Sequence, residues 1–278
     1  MKKYWFCIGL CLSVGLLMAQ TQPQEVSLTT QDSWKVAGWY VPSKAESKTV
    51  VLLHDIGKNH QDFQTFAGKL TARGIGYLAL DLRGHGSSVN KGAYRSFAKE
   101  GVDNEYNKMI RDVNAAIEFL QDKGVPEEDI MLIGVGMGAN VAAKAASLWP
   151  SLGGLALLTP VTNFRDVLPI PSLRVYKGPV FIAAAADDKK TFLEASVMRN
   201  VAFLSSGEGN VTFATAYDKK GHELLDAWVS AELLQWIRTA QKPPLSPDVI
   251  EETEEKEASY EPIPASDTEE ALFPSILQ

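Results

Sequence analysis

Cysteine is nearly absent from the chain: its 278 residues hold two, Cys7 and Cys11, both in the first nineteen. A mature chain that has lost those residues has no disulfide framework, no thiol nucleophile and no cysteine metal site. Histidine is scarce too. His54, His60, His85 and His222 show no H-x-x-x-H spacing, so the zinc pattern is missing and no metal or other cofactor is expected. Basic residues are in the minority, with a formal net charge of −7. No basic face that would neutralise phosphates is apparent, so nucleic acid is not expected as a partner. Long apolar runs are missing as well. The longest, Tyr4–Ala19, has sixteen residues, whereas a membrane-spanning helix needs about twenty. Internal repeats are absent.

What is present divides the chain in three. Lys2-Lys3 precede the apolar run, and Leu17-Met18-Ala19 puts a small residue before the polar Gln20-Thr21-Gln22-Pro23-Gln24. That is the build of a secretory signal over residues 1–19, with an uncleaved anchor as the alternative. Neither cysteine follows a Leu-small-small run, so no lipid anchor is expected. Residues 20–241 carry the patterned body, which is close to neutral. Residues 242–278 form an acidic tail in which ten Asp and Glu face only Lys242 and Lys256. Its prolines and charge predict disorder, because such a segment buries too little apolar surface to fold alone. Its last residues, Ala271–Leu277, turn apolar again. An exported protein, periplasmic or secreted, is the expectation.

Within the body, Val26–Leu28 and Trp34–Val41 flank a Gln31-Asp32-Ser33 turn and predict an antiparallel hairpin at a sheet edge. Six nearly continuous apolar runs follow, at 49–53, 75–80, 130–133, 155–158, 180–183 and 211–214. Runs of that kind are strands buried on both faces, as in a parallel sheet. Helical patterns lie between them. The clearest, 103–123, repeats Tyr106, Ile110, Val113, Ile117 and Leu120 at helical spacing and stops at Gly124. Others cover Ala139–Trp149 and 223–238, and Asn59 is placed to cap a helix that begins at His60. This alternation predicts one doubly wound α/β domain with helices on both faces of a mostly parallel, twisted sheet.

Gly134-Val135-Gly136-Met137-Gly138 stands between a strand and a helix, which is the setting of a G-x-S-x-G nucleophile elbow. Four more landmarks follow the same order of strands: His54-Asp55-Ile56-Gly57, Asp81-Leu82-Arg83-Gly84-His85-Gly86-Ser87-Ser88, Asp187-Asp188 and Gly221-His222. Together they resemble the α/β-hydrolase family over about residues 25–238, with esterase-like and serine-aminopeptidase-like members as the nearest in pattern. The resemblance implies an elbow nucleophile at position 136, an acid at Asp188 (Asp187 is the second choice), a histidine at His222, and oxyanion donors from the N–H groups of Ile56 and Met137. Only about twenty residues separate Leu158 from Gly178, too few for the helical lid that many members carry, so an open pocket is expected. A dinucleotide loop does not fit, because G-x-G-x-x-G fails in both registers and no acid follows at the ribose distance.

The chain departs from the family at the point of attack. Gly136 has no side chain, and neither Val135 nor Met137 supplies a nucleophile. Removing the triad nucleophile removes most of the catalysis. Asp55 replaces the usual glycine of His-Gly, placing a carboxylate where negative charge would grow on a substrate oxygen. Glycine, in turn, reaches a positive φ without the strain that serine bears there. The reading is a hydrolase fold retained for binding an acyl or peptidic ligand or a protein partner. The alternative is an active hydrolase of esters, amides or peptides in which His222 and Asp188 activate water without a serine.

Overall fold

The computed structural model describes residues 22–45, 47–226 and 228–241. The expected leader and the acidic tail lie outside the described residues. Among the described residues, eight strands form one sheet: β1 (Gln24–Thr29), β2 (Lys35–Val41), β3 (Thr49–Leu53), β4 (Gly76–Leu80), β5 (Ile130–Val135), β6 (Gly154–Leu158), β7 (Val180–Ala185) and β8 (Val211–Ala216). Their spatial order is β1-β2-β4-β3-β5-β6-β7-β8. β1 and β2 pair antiparallel, with Gln24 opposite Tyr40 and Thr29 opposite Lys35, and β2 runs antiparallel to β4. Every later pairing is parallel. The hairpin thus lies at the sheet edge where its alternating pattern put it, and the six apolar runs form the parallel part.

Among the described residues, seven helices cover the sheet: α1 (Gln64–Thr71), α2 (Glu105–Lys108), α3 (Ile110–Asp122), α4 (Met137–Ala146), α5 (Pro169–Val175), α6 (Lys189–Ser206) and α7 (Val229–Thr239). They form two layers because the strands are apolar on both faces. Val113, Ala116, Ile117 and Leu120 of α3, Ala142 and Ala146 of α4, Leu173 of α5 and Met198 of α6 pack in the core with Val51, Leu132, Leu157 and Ile182. On the opposite face Phe66 and Leu70 of α1 and Leu233, Trp236 and Ile237 of α7 share a core with Val50, Ile133, Leu158 and Phe181. Apolar burial at about 25 cal/mol per Å² makes these two layers the main source of stability.

The helix expected over 103–123 is two helices. Asn104 caps α2 by accepting from the Asn107 N–H, and the Met109 N–H then bonds to Tyr106 O, three residues back, which tightens the chain before α3 starts. The segment expected as one helix over 223–238 is likewise a 3₁₀ turn, Gly221–Leu225, followed by α7. Asn59 caps a 3₁₀ turn, His60–Phe63, with a full capping box, since its side chain takes the Gln61 N–H and Asp62 accepts from its backbone. Between β6 and β7 the seven-residue α5 is the only helix among the described residues, and no lid domain is built there.

The turn after β4 ties the sheet to α3. Arg83 is fully buried and reaches Asp112 with Nε at 2.9 Å and Nη2 at 2.7 Å, while its Nη1 meets Asp32 and Glu105 at 2.7 and 2.9 Å. Asp81 accepts from the His60 N–H and from the Ser87 N–H. His85 stacks flat on Tyr94 with ring centres 4.2 Å apart. These contacts make the Asp-x-Arg-Gly-His-Gly segment a structural joint.

Candidate active site

The carboxyl ends of β3, β5, β7 and β8 bring the candidate residues to one edge of the parallel sheet, where ligand sites of open α/β sheets lie. β5 ends at Val135 and α4 begins at Met137, so Gly136 alone makes the turn. Its φ of 53° and ψ of −116° are a conformation that an L side chain adopts only with strain. The tight approach of strand and helix also requires Gly138, since a Cβ there would run into the backbone oxygen of His54 at 2.6 Å. The elbow is therefore built in full, with glycine at its apex.

What fills the space beside the apex is the carboxyl of Asp55. Its Oδ1 accepts the Ile56 N–H at 2.7 Å and the Met137 N–H at 2.8 Å. These are the two oxyanion donors that the motif comparison implies. A Cβ built on Gly136 would overlap the Asp55 carboxyl, with Oδ2 at 2.5 Å. The carboxylate thus fills the volume of an elbow side chain and takes the oxyanion donors as well. The resemblance implies these N–H groups as donors to a substrate oxygen; in the structure they are already satisfied from within. The negative charge is well placed, because the first N–H groups of a helix and its dipole favour an anion at that end.

His54 fixes this loop from below. Leu82 N–H donates to its Nε2 at 3.0 Å, so the proton is on Nδ1, which donates to Asp55 O at 2.7 Å. Full burial drives its pKa down to about 3, against the pull of the Asp55 backbone bond. His54 is a neutral spacer between the ends of β3 and β4.

His222 sits in the turn after β8. The turn is held by Gly221 N–H donating to Thr159 Oγ1 at 3.0 Å, and the ring lies edge-on to Phe63 at 4.9 Å. Its Nε2 is buried without a hydrogen-bond partner among the described residues. Burial lowers its pKa, while the charges of Asp62 and Asp55 act to raise it. At neutral pH the ring is uncharged.

The acid is not joined to it. Asp188 caps α6 by accepting the Thr191 N–H at 3.2 Å, and its hydrogen bonds with Thr191 hold its carboxyl below the usual range. Asp187 accepts from the Asp218 N–H at 3.2 Å. Both line a cleft of about 390 Å³ together with Ala185, Asp218, Lys219, Lys220 and Glu223. No hydrogen bond links either acid to His222 among the described residues. The structure therefore unites Asp55, Ile56, Gly136 and Met137, places His222 in their neighbourhood, and leaves Asp188 to a capping role.

Two supporting residues escaped the sequence reading. Thr159 follows β6 with φ 53°, a left-handed value that is costly for a β-branched residue, and its N–H bonds to Ala183 O. Asn140 on α4 donates to Val161 O and Val167 O and accepts from the Val161 N–H, which clamps the loop after β6. Neither carries a motif. Asn140, a polar residue amid an alanine-rich helix, was the one visible sign.

The chain is similar to known proteins in sequence and in fold. The family model described as serine aminopeptidase, S33 (Hydrolase_4) matches residues 44–185, just over half of the chain. Protein phosphatase methylesterase 1 of Candida albicans is 29% identical over 126 residues, covering 45% of this chain and 32% of that protein. The mouse protein of the same name is 31% identical over 133 residues, covering 47% and 31%. The α/β-hydrolase superfamily protein YisY of Bacillus subtilis is 30% identical over 105 residues, covering 38% and 34%. The chain thus spans about a third of the length of these curated relatives. Among solved structures, the Pyrococcus furiosus esterase Pf2001 superposes with a TM-score of 0.65 at 19% identity, over 79% of this chain and 93% of that one. The dienelactone hydrolase of Anabaena variabilis gives 0.62 at 15% identity, over 79% and 99%. At those identities the likeness is one of fold.

Proposed function

Because the chain belongs to the serine aminopeptidase S33 family of α/β hydrolases, we propose that it is an exported member that binds a small acyl or peptidic ligand, or a protein partner, without hydrolysing it. The observation that carries this reading is Asp55 Oδ1, which accepts the Ile56 and Met137 N–H groups in the space beside a side-chain-free Gly136. Serine hydrolysis needs a nucleophile, a base to take its proton and empty donors for the growing oxyanion. Here the first is missing and the last are filled. Asp188, committed to capping α6, leaves His222 without the carboxylate that would orient it. The loss of nucleophile and donors together is expected to cost several orders of magnitude in rate.

The test is ester hydrolysis. Two of the relatives are named methylesterases, so a methyl ester joins short- and medium-chain nitrophenyl esters as probes. The parent is expected to be inert. Gly136→Ser alone is expected to stay inert, because the new side chain meets the Asp55 carboxyl. The pair Asp55→Gly with Gly136→Ser empties the donors and supplies the nucleophile, and is expected to gain measurable turnover. Parent turnover that His222→Ala abolishes would instead establish a water-based mechanism and overturn the reading.

A further inference from the structure

Among the described residues the sheet has two edges, β1 and β8. β1 begins with Gln24 and Glu25 exposed, and charge on an edge strand opposes pairing with a second chain. β8 reads Val211-Thr212-Phe213-Ala214-Thr215-Ala216, with neither a charge nor a proline. Its backbone is spent toward β7. The Ala216 carbonyl accepts from the Ala186 N–H, and the Asp218 N–H donates to Asp187, so the even-numbered residues turn their peptide groups that way. The N–H and C=O groups of Phe213 and Thr215 therefore point away from the sheet, and no described strand pairs with them. Half-buried aromatic residues stand beside this edge. Phe192 of α6 meets the Phe213 ring edge-on at 5.8 Å, and the Arg199 guanidinium lies 4.9 Å from Phe203 and 5.7 Å from Phe213. Tyr217, just past the strand, is 74% exposed. Aromatic residues and arginine are what the centres of interfaces are rich in.

We propose that β8 pairs antiparallel with β8 of a second copy of this chain, joining two sheets into one across a twofold axis. Charge and register single out this partner. The turn before β8 carries Glu208, and the turn after it carries Lys219 and Lys220. Antiparallel pairing sets each turn beside the opposite turn of the other copy. A twofold axis at Ala214 brings Phe213 opposite the partner's Thr215, and each such pair exchanges two N–H···O=C bonds. Ala214 then faces its own counterpart at the closely spaced, non-hydrogen-bonded position, where a small side chain fits. Glu208 comes beside the partner's Lys220 at both ends. An axis at Phe213 would instead bring Glu208 beside the partner's Asp218, and like charges side by side oppose pairing. It would also draw on the Val211 N–H, which is already donated to Glu208 O. Opposite residues of an antiparallel pair point to the same face, so both α6 helices lie on one side of the joined sheet, with Phe192, Arg199 and Phe203 flanking the seam. The partner's Glu208 reaches the rim of the cleft that Lys219 and Lys220 line. Such a closed, self-complementary contact is the commonest form of homo-oligomer.

Analytical ultracentrifugation of residues 20–278, with amide hydrogen exchange over the same concentration series, tests it. A dimer of twice the single-chain mass is expected, with exchange at Phe213 and Thr215 slowing as the dimer fills. Thr215→Pro removes an outward N–H and no bond to β7. It is expected to keep the fold and to raise the dissociation constant about tenfold or more. Glu208→Lys is expected to raise the constant about fivefold, and Glu208→Lys with Lys220→Glu to restore it to within about twofold. A monomer at every concentration overturns the proposal. Slow exchange at Phe213 and Thr215 in a monomer overturns it too, because the chain's own residues then cover the edge. A dimer indifferent to both Thr215→Pro and Glu208→Lys is joined elsewhere, and that result also overturns it. If Thr215→Pro does not fold, the charge reversal and its rescue decide the matter.

Discussion

Gly136 and Asp55 make one exchange of volume and charge between two loops. The carboxyl lies where an elbow side chain would begin, and the backbone at 136 has a φ that only glycine adopts freely. Serine at 136 alone should therefore destabilise the fold by about 1–3 kcal/mol through overpacking and strain. Glycine at 55 alone should cost about as much, because it leaves the Ile56 and Met137 N–H groups without their acceptor in a partly buried site. In the double variant the clash is relieved, so the two losses should not add. A urea double-mutant cycle is expected to give a coupling of about 1–3 kcal/mol, in the range seen for residues in contact. Simple additivity would mean that Asp55 swings clear of the elbow at no cost.

His54 shows how the strands are joined at their carboxyl ends. Through Leu82 N–H and Asp55 O it spans from the end of β3 to the turn after β4, and His85 packs edge-on to it at 4.9 Å. Such a bridge works only with a neutral ring, because protonation at Nε2 would turn the acceptor for Leu82 into a donor. The folded pKa of about 3 lies below the ordinary 6.5, so the folded protein binds this proton less readily than the unfolded chain. Stability from this group is then complete above about pH 6.5 and drains away as the pH falls toward 3. The loss should be on the order of 5 kcal/mol when complete. Chemical denaturation between pH 7 and pH 4 should show it as a steep acid limb, and His54→Asn should flatten that limb. An equally steep limb in the variant would assign the acid sensitivity elsewhere.

At the scale of the molecule, charge is segregated along the chain: a basic start before an apolar run, a body close to neutral and an acidic final stretch. The export reading predicts that the protein recovered outside the cytoplasm begins at or near Gln20, the residue after the expected cut. Cell fractionation with mass spectrometry of the intact protein checks this. A chain recovered with Met1 still attached would favour the anchored alternative. No helix among the described residues is long and apolar enough to cross a membrane.

The hairpin, the six apolar strands, the elbow glycines and the order of the motifs were legible because each depends on local pattern or on a fixed spacing. α6 was less so: Phe192, Leu193, Val197, Val201, Phe203 and Leu204 fall all around it and leave no period to read. The break at Met109 was also hidden, because one tight turn hardly disturbs an apolar repeat. By itself the sequence determined the fold and the absence of a side chain at 136. Only the tertiary structure decided what replaced that side chain. Asp55 and Met137 are 82 residues apart, and no local rule states that a carboxylate on one loop will turn into the vacancy on another. That outcome follows from the parallel sheet setting β3 beside β5, so that two loops share one small volume and two N–H groups must find an acceptor.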